Sequence, residues 1–129
     1  MRAFLKSRAL SFTYAFSGWW HVIRTQRNAW IHALVSIMVV ALGFWLGISA
    51  RDWAIMILAI AMVWTAEFIN TALEAIVDLA SPEKSALARA SKDVGAAAVL
   101  IAALSSVIIG LLILGPPLWH KIQTLIFDS

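Results

Sequence analysis

Three long apolar runs, separated by short polar breaks, fill the chain from residue 30 onward. Residues 30–48 are 19 nearly uncharged residues, enough to cross a hydrocarbon layer of about 30 Å as an α-helix. A polar turn at residues 49–52 follows, and the second run occupies residues 53–78. The third run, residues 94–115, is expected to end at Gly115-Pro116-Pro117, because proline disrupts a helix interior. The pattern predicts three membrane-spanning helices.

The segments outside these runs are shorter and more polar. Residues 1–28 mix aromatic side chains with basic and hydroxyl ones, which predicts an amphipathic helix lying in the membrane interface. Residues 81–93 are predicted to form a loop and the start of a helix, with the helix-start signals Ser-Pro-Glu at 81–83. Residues 116–129 are predicted to be a C-terminal tail. The first apolar run begins too late and is too long for a signal peptide, so we expect it to be retained.

The composition supports a small integral membrane protein with a single domain. The chain has 129 residues, a mean hydropathy of +0.87 and only 13% charged residues. The sequence contains no cysteine, which excludes disulfides and thiolate metal sites. The net charge of +3 is not spread over a soluble surface, so we predict no nucleic-acid partner.

The distribution of basic residues predicts an orientation. Residues 1–28 carry five Lys and Arg residues and the loop between the second and third runs carries three, whereas the opposite side carries two. Because cytoplasmic segments are enriched in these residues, we expect the N-terminus and the second loop to be cytoplasmic and the C-terminus to be outside.

Polar residues recur on one face of the second run, at Glu67, Asn70, Glu74 and Asp78. Their spacings of 3, 4 and 4 residues place these four side chains, here called the polar stripe, within an arc of about 80°. A charge at the centre of a spanning helix costs roughly 2.5–3.5 kcal/mol, so residues kept there usually serve a site. The polar stripe is therefore our main indication of activity.

The depth of each residue in the polar stripe suggests its chemistry. If the span begins at Ala54, Glu67 lies roughly 8 Å inside the cytoplasmic boundary, where a carboxylate can meet a lipid head group and act as a general base. Asn70 then lies near the boundary. Glu74 and Asp78 lie on its aqueous side, and their carboxylate oxygens suit Mg²⁺.

Lys92 and Asp93 stand across a short loop from the polar stripe. Lys92 can neutralise phosphate near a helix N-terminus, and Asp93 can supply a further carboxylate or hold Lys92. Interfacial anchoring is the alternative for this pair. The sequence contains neither a GxxxxGK[ST] phosphate loop nor a dinucleotide-binding glycine fingerprint, so a nucleotide must be held by other means.

Three other interpretations of the polar stripe stay open at this point. Its carboxylates can be ordinary partners of basic residues, or solvated at the helix end in the case of Asp78. A proton- or ion-conducting subunit would use Glu67 as its titrating group, but this leaves the cluster of Glu74, Asp78, Lys92 and Asp93 unexplained. The stripe can also serve subunit assembly. Three spans enclose little interior of their own, so we expect an oligomer that shelters the stripe.

Two strings resemble those of the prokaryotic diacylglycerol kinase family, small membrane kinases that include the undecaprenol kinases. They are EFINTALEAIVD at residues 67–78 and KDVGAAAVL at residues 92–100. The strings SFTYAFSG at residues 11–18 and RTQRN at residues 24–28, with His32, extend the resemblance over nearly the whole chain. The pattern around RTQRN looks closer to the undecaprenol kinase branch.

The resemblance implies an all-α membrane protein. It implies a homotrimer of subunits with three transmembrane helices and an N-terminal amphipathic surface helix, with active sites shared between subunits at the cytoplasmic boundary. It also implies a multi-pass protein of the bacterial inner membrane that transfers the γ-phosphoryl group of ATP to the hydroxyl of a membrane lipid alcohol. This alcohol is diacylglycerol or undecaprenol, and the expected cofactor is Mg²⁺.

The resemblance also assigns roles by motif position. Glu67 is the expected base for the lipid hydroxyl, and Glu74 the expected ligand of the metal that accompanies ATP. Asn70, Lys92 and Asp93 match positions that organise the phosphates and the site.

The remaining matches are in the nucleotide pocket and the N-terminal segment. Asp78 matches a nucleotide-pocket position, and Arg8 an N-terminal basic contact. Gln26 stands where the family often has a second metal-binding glutamate, so its amide oxygen can coordinate but supplies no charge. Trp30 stands where some members have an arginine. His32 is left open between a catalytic and a packed interfacial residue.

Overall fold

Every regular element in the described part of the chain is an α-helix. The computed structural model describes residues 1–83 and 85–127, with the side chains of residues 2–7 and 9 left aside; Lys84 and the last two residues of the predicted tail lie outside this description. The all-α class expected from the sequence is confirmed. The helices in chain order are α1 (Arg2–Thr25), α2 (Arg27–Leu46), α3 (Ala50–Ala80) and α4 (Ala86–Phe127).

Three of these helices are long and apolar enough to cross a membrane, as the sequence predicts. They are α2 with 20 residues, α3 with 31 and α4 with 42. At 1.5 Å per residue, α3 measures about 46 Å and α4 about 63 Å, which exceeds a hydrocarbon layer of about 30 Å. Both helices are therefore longer than the layer is thick.

The predicted end of the last span at Gly115-Pro116-Pro117 is wrong, because α4 continues through both prolines to Phe127. Each proline removes one N–H donor, which costs a helical hydrogen bond but leaves the flanking turns able to pair. The continuation also has a tertiary partner. Lys121 donates from Nζ to the carbonyl of Trp45 at 2.9 Å and lies over that indole ring, 4.7 Å from its centroid.

The predicted helix start at residues 81–83 is also wrong. Ser85 performs the capping, since its Oγ accepts a hydrogen bond of 3.0 Å from the Ala88 N–H. Ser81 instead belongs to the turn after α3, where its Oγ donates to the carbonyl of Glu83 at 2.8 Å. α3 therefore ends at Ala80 and α4 begins at Ala86, after the predicted helix start.

Local backbone chemistry explains the breaks between the first three helices. Gln26 separates α1 from α2 with an extended backbone (φ −101°, ψ 116°). Gly47 ends α2 in the left-handed region (φ 65°), which favours glycine. Ser49 and Asp52 form a capping box at the start of α3, in which Ser49 Oγ accepts from the Asp52 N–H at 3.2 Å.

The core lies along one side of α3, which packs most extensively against α4 and also contacts α2. The buried residues of α3 follow one helical stripe that is apolar towards the α2–α3 turn and polar further along. Ser106 on α4 donates to the carbonyl of Ala59 at 3.0 Å across this contact. The buried residues of α3 are Met56, Ala59, Val63, Glu67, Asn70 and Thr71.

We predict that Gly47→Ala destabilises the protein, because an alanine in the left-handed region costs roughly 1–2 kcal/mol. The measurement is the thermal unfolding midpoint in detergent. The matched control is Gly110→Ala inside α4, where an added Cβ meets nothing within 4 Å. The control should be neutral or stabilising by up to about 1 kcal/mol. Equal shifts for the two variants would contradict the assigned backbone role.

Candidate active site

Glu67 is the centre of the site, a buried carboxylate on α3 with a relative exposure of 1%. Thr71, one turn further on, donates from Oγ1 to the Glu67 carbonyl at 2.8 Å and shares its burial. His32 on α2 faces it, with 3.9 Å between His32 Nε2 and Glu67 Oε2. The structure thus joins a residue of the polar stripe to the histidine whose role the sequence leaves open.

An aromatic cluster from three helices holds this pair in place. Trp64 on α3 donates from Nε1 to Ser36 Oγ on α2 at 3.3 Å and meets the His32 ring edge-on, with centroids 6.4 Å apart. Trp19 on α1 stacks on Trp64 with centroids 4.8 Å apart, and it also contacts Phe68. The ring of His32 therefore has little freedom to turn away from α3.

Two side-chain amides hold Glu74, two turns beyond Glu67. Asn70 donates from Nδ2 to Glu74 Oε1 at 3.0 Å, and Gln26 donates from Nε2 to Glu74 Oε2 at 3.3 Å. The extended backbone of Gln26 at the α1–α2 break brings its side chain to α3. The structure thus brings Gln26 and Glu74 together, as the sequence resemblance expects of this pair.

The close approach of α4 to Asn70 depends on Gly95. A Cβ on Gly95 would collide with Asn70 Oδ1, which is buried and has no hydrogen-bond partner in the structure. Asn70 is therefore confined between α4 on one side and the Glu74 carboxylate on the other. An apolar groove of about 510 Å³ between α3 and α4 reaches this point; Leu58, Met62 and Ile69 are among its lining residues.

The outer end of the polar stripe faces a second, more polar cleft. Asp78 and Lys92 form an ion pair across α3 and α4, with side-chain exposures of 67% and 36%. They line an open cleft of about 630 Å³ together with Asp93 and Arg89. Arg89 is not among the predicted site residues, although its position one turn before Lys92 places both on one side of α4.

The sequence predicted Lys92 and Asp93 near a helix N-terminus, and this prediction is wrong. Helix α4 begins at Ala86, so both residues lie about two turns inside it. Arg8 is exposed in the first half of α1. Within residues 1–83 and 85–127 no group of three or more His, Cys, Asp or Glu residues gathers as a metal site.

Comparison with known proteins identifies the family. The profile described as prokaryotic diacylglycerol kinase matches residues 13–114. The chain is 42% identical over 108 residues to an undecaprenol kinase of Bacillus subtilis, covering 84% of this chain and 88% of that protein. The chain belongs to the prokaryotic diacylglycerol kinase family. This membership confirms the resemblance drawn from the sequence, and the matched range contains every predicted site residue except Arg8.

Two diacylglycerol kinases are also similar to this family member. The chain is 39% identical over 110 residues to that of Synechocystis sp., covering 84% of this chain and 63% of that protein. It is 34% identical over 89 residues to that of Escherichia coli, covering 64% of this chain and 73% of that protein. The family thus includes similar proteins named for two different lipids.

We predict that Gly95→Ala destabilises the protein by about 1–3 kcal/mol, because the new methyl group must displace the Asn70 amide from Glu74. The thermal unfolding midpoint is the measurement. The same substitution in an Asn70→Ala background should be nearly neutral, since the colliding oxygen is gone. A similar loss in both backgrounds would contradict the assigned contact.

Proposed function

We propose that this member of the prokaryotic diacylglycerol kinase family transfers the γ-phosphoryl group of ATP to the hydroxyl of a membrane lipid alcohol. The observation that carries the proposal is that α3 bears two carboxylates in different surroundings. A carboxylate at Glu67 is buried among apolar helices, and a second at Glu74 lies two turns closer to the polar cleft. Lipid kinase activity is what family membership supports, and the ion-conducting alternative has no support.

Glu67 acts as the general base in this proposal. The lipid O–H gives its proton to the Glu67 carboxylate while its oxygen forms a bond to the γ-phosphorus. The bond between that phosphorus and the β,γ-bridging oxygen breaks, and its electron pair leaves with ADP. Phosphoryl transfer of this kind depends mainly on positioning and on neutralising charge, so the protein needs few reacting groups.

Glu74 and the amide oxygen of Gln26 are the groups that would hold Mg²⁺. They fit a metal that takes one or two carboxylates and completes its shell with phosphate oxygens and water. The contact between the two side chains supports this assignment, since the Gln26 amide lies against Glu74 Oε2 at 3.3 Å. When bound, the metal would neutralise charge on the transferred phosphate.

The polar cleft is our candidate for the remaining ATP contacts. Lys92 is suited to neutralise phosphate oxygens, and its present partner Asp78 can turn to the nucleotide once phosphate takes its place. Asp93 lines the same cleft and can orient Lys92 or a hydroxyl of the nucleotide. Arg8 is proposed as a further basic contact from α1, supported only by its motif position.

The lipid, the assembly and the orientation complete the proposal. Undecaprenol is favoured over diacylglycerol, because the similar Bacillus subtilis protein is named an undecaprenol kinase and covers most of the chain. A homotrimer would cover part of the exposed apolar surface of α2, α3 and α4. The excess of basic residues supports a cytoplasmic N-terminus and active site in a bacterial inner membrane.

The test of the proposed function is transfer of labelled γ-phosphate by detergent-solubilised protein, with undecaprenol and diacylglycerol offered in parallel. The wild-type protein should label at least one alcohol in the presence of Mg²⁺-ATP. Glu67→Gln should lower the turnover by about 10²–10⁴-fold and leave nucleotide binding intact, because it removes the base alone.

The matched control is Glu83→Gln, the same change in the exposed loop after α3. It should turn over like the wild type. Phosphorylation by Glu67→Gln at the wild-type rate would remove the base assignment, and labelling of neither alcohol by the wild type would remove the lipid assignment.

The metal assignment predicts opposite effects at two neighbouring positions. Glu74→Gln should weaken binding of Mg²⁺ with a non-hydrolysable ATP analogue by about tenfold, because it removes the carboxylate ligand. Gln26→Glu should strengthen Mg²⁺ binding, since it adds a second carboxylate beside Glu74. Calorimetric titration measures both without turnover. Unchanged affinity in both variants would count against this metal site.

A further inference from the structure

His32 and Glu67 present two buried polar atoms to each other without a hydrogen bond. His32 Nε2 and Glu67 Oε2 are 3.9 Å apart, and neither atom has another partner in the structure. The two side chains are 15% and 2% exposed. A buried polar group left without a partner destabilises the fold, so two such atoms facing each other indicate a shared interaction.

Packing against neighbouring side chains, rather than a hydrogen bond, determines the position of the His32 ring. Trp64 meets the ring edge-on and is itself fixed by Ser36 and Trp19. These contacts come from α1, α2 and α3, so the packing of these three helices places the His32 ring beside Glu67. A histidine merely filling space would not need its Nε2 turned towards a carboxylate.

Two other charged groups of the site, Glu74 and Lys92, are already engaged. Glu74, the neighbouring carboxylate on α3, accepts hydrogen bonds from Asn70 and Gln26. Lys92 on α4 is paired with Asp78. His32 is therefore positioned to interact with the Glu67 side chain.

We propose that His32 is a positioning residue that holds Oε2 of Glu67, directly or through one water molecule. The other carboxylate oxygen is then left to take the proton of the lipid hydroxyl. A water oxygen about 2.7 Å from both atoms would subtend an angle of roughly 90° across the gap, which hydrogen-bond geometry allows. The kinetic part of this proposal rests on the proposed role of Glu67 as base, whereas the pairing itself does not.

A double-mutant cycle on stability tests the pairing. His32→Leu leaves Oε2 buried without a partner and should lower the unfolding midpoint by about 5 °C. Glu67→Gln in the His32→Leu background should cost much less than Glu67→Gln alone, because the partner is already gone. Additive shifts in the double variant would overturn the pairing, whatever the protein phosphorylates.

Kinetics then test the positioning role with a matched pair of substitutions. His32→Leu should lower kcat by at least about tenfold, with the KM for ATP within about twofold of the wild type. His32→Gln keeps an N–H donor near the position of Nε2 and should restore most of the loss. The control is His120→Leu, the same change at an exposed site in the last part of α4, which should leave kcat unchanged.

The outcomes separate the two proposals. Wild-type kcat in His32→Leu, or a His32→Gln variant as slow as His32→Leu, would overturn the positioning role while the wild type still labels its lipid. If the wild type labels no lipid, the proposed function fails and the stability cycle alone decides the pairing.

Discussion

The enclosure of the Glu67 carboxylate between apolar helices is the constraint on which the other features of the site depend. A buried carboxylate must find partners or it destabilises the fold. Here the facing surface is assembled from His32 on α2 and from Trp64, which Trp19 on α1 and Ser36 on α2 hold in place. The helices α1 and α2 are therefore part of the site as well as of the fold.

Helical periodicity places the three carboxylates of the polar stripe in order along one side of α3. The seven residues from Glu67 to Glu74 cover about 10 Å, and the four from there to Asp78 cover about 6 Å. Long side chains two turns apart can reach one phosphate group from opposite sides. One rigid helix thus aligns the proposed base, the proposed metal ligand and the polar cleft, and Gly95 lets α4 close over the middle of it.

The sequence predicted what depends on local pattern and missed what depends on packing. Three spans and the polar stripe follow from apolar length and a period of 3.6 residues, and both are present. The continuation of α4 through Pro116 and Pro117 was missed, because the contact of Lys121 with Trp45 spans two helices distant in sequence. The approach of His32 to Glu67 was missed for the same reason, and it is visible only once α2 is packed on α3.

Because position 26 carries an amide and not a carboxylate, Glu74 can be held by hydrogen bonds when no metal is bound. Two carboxylates at this distance would repel each other unless a cation lay between them. Gln26 instead donates to Glu74 at 3.3 Å, and Asn70 donates to its other oxygen, so both oxygens of Glu74 have a hydrogen-bond donor without a cation. The metal would have to displace these amide donors, and the charge it meets is that of one carboxylate. Binding together with the nucleotide phosphates is therefore favoured over binding beforehand, because the phosphates supply the charge that Gln26 lacks.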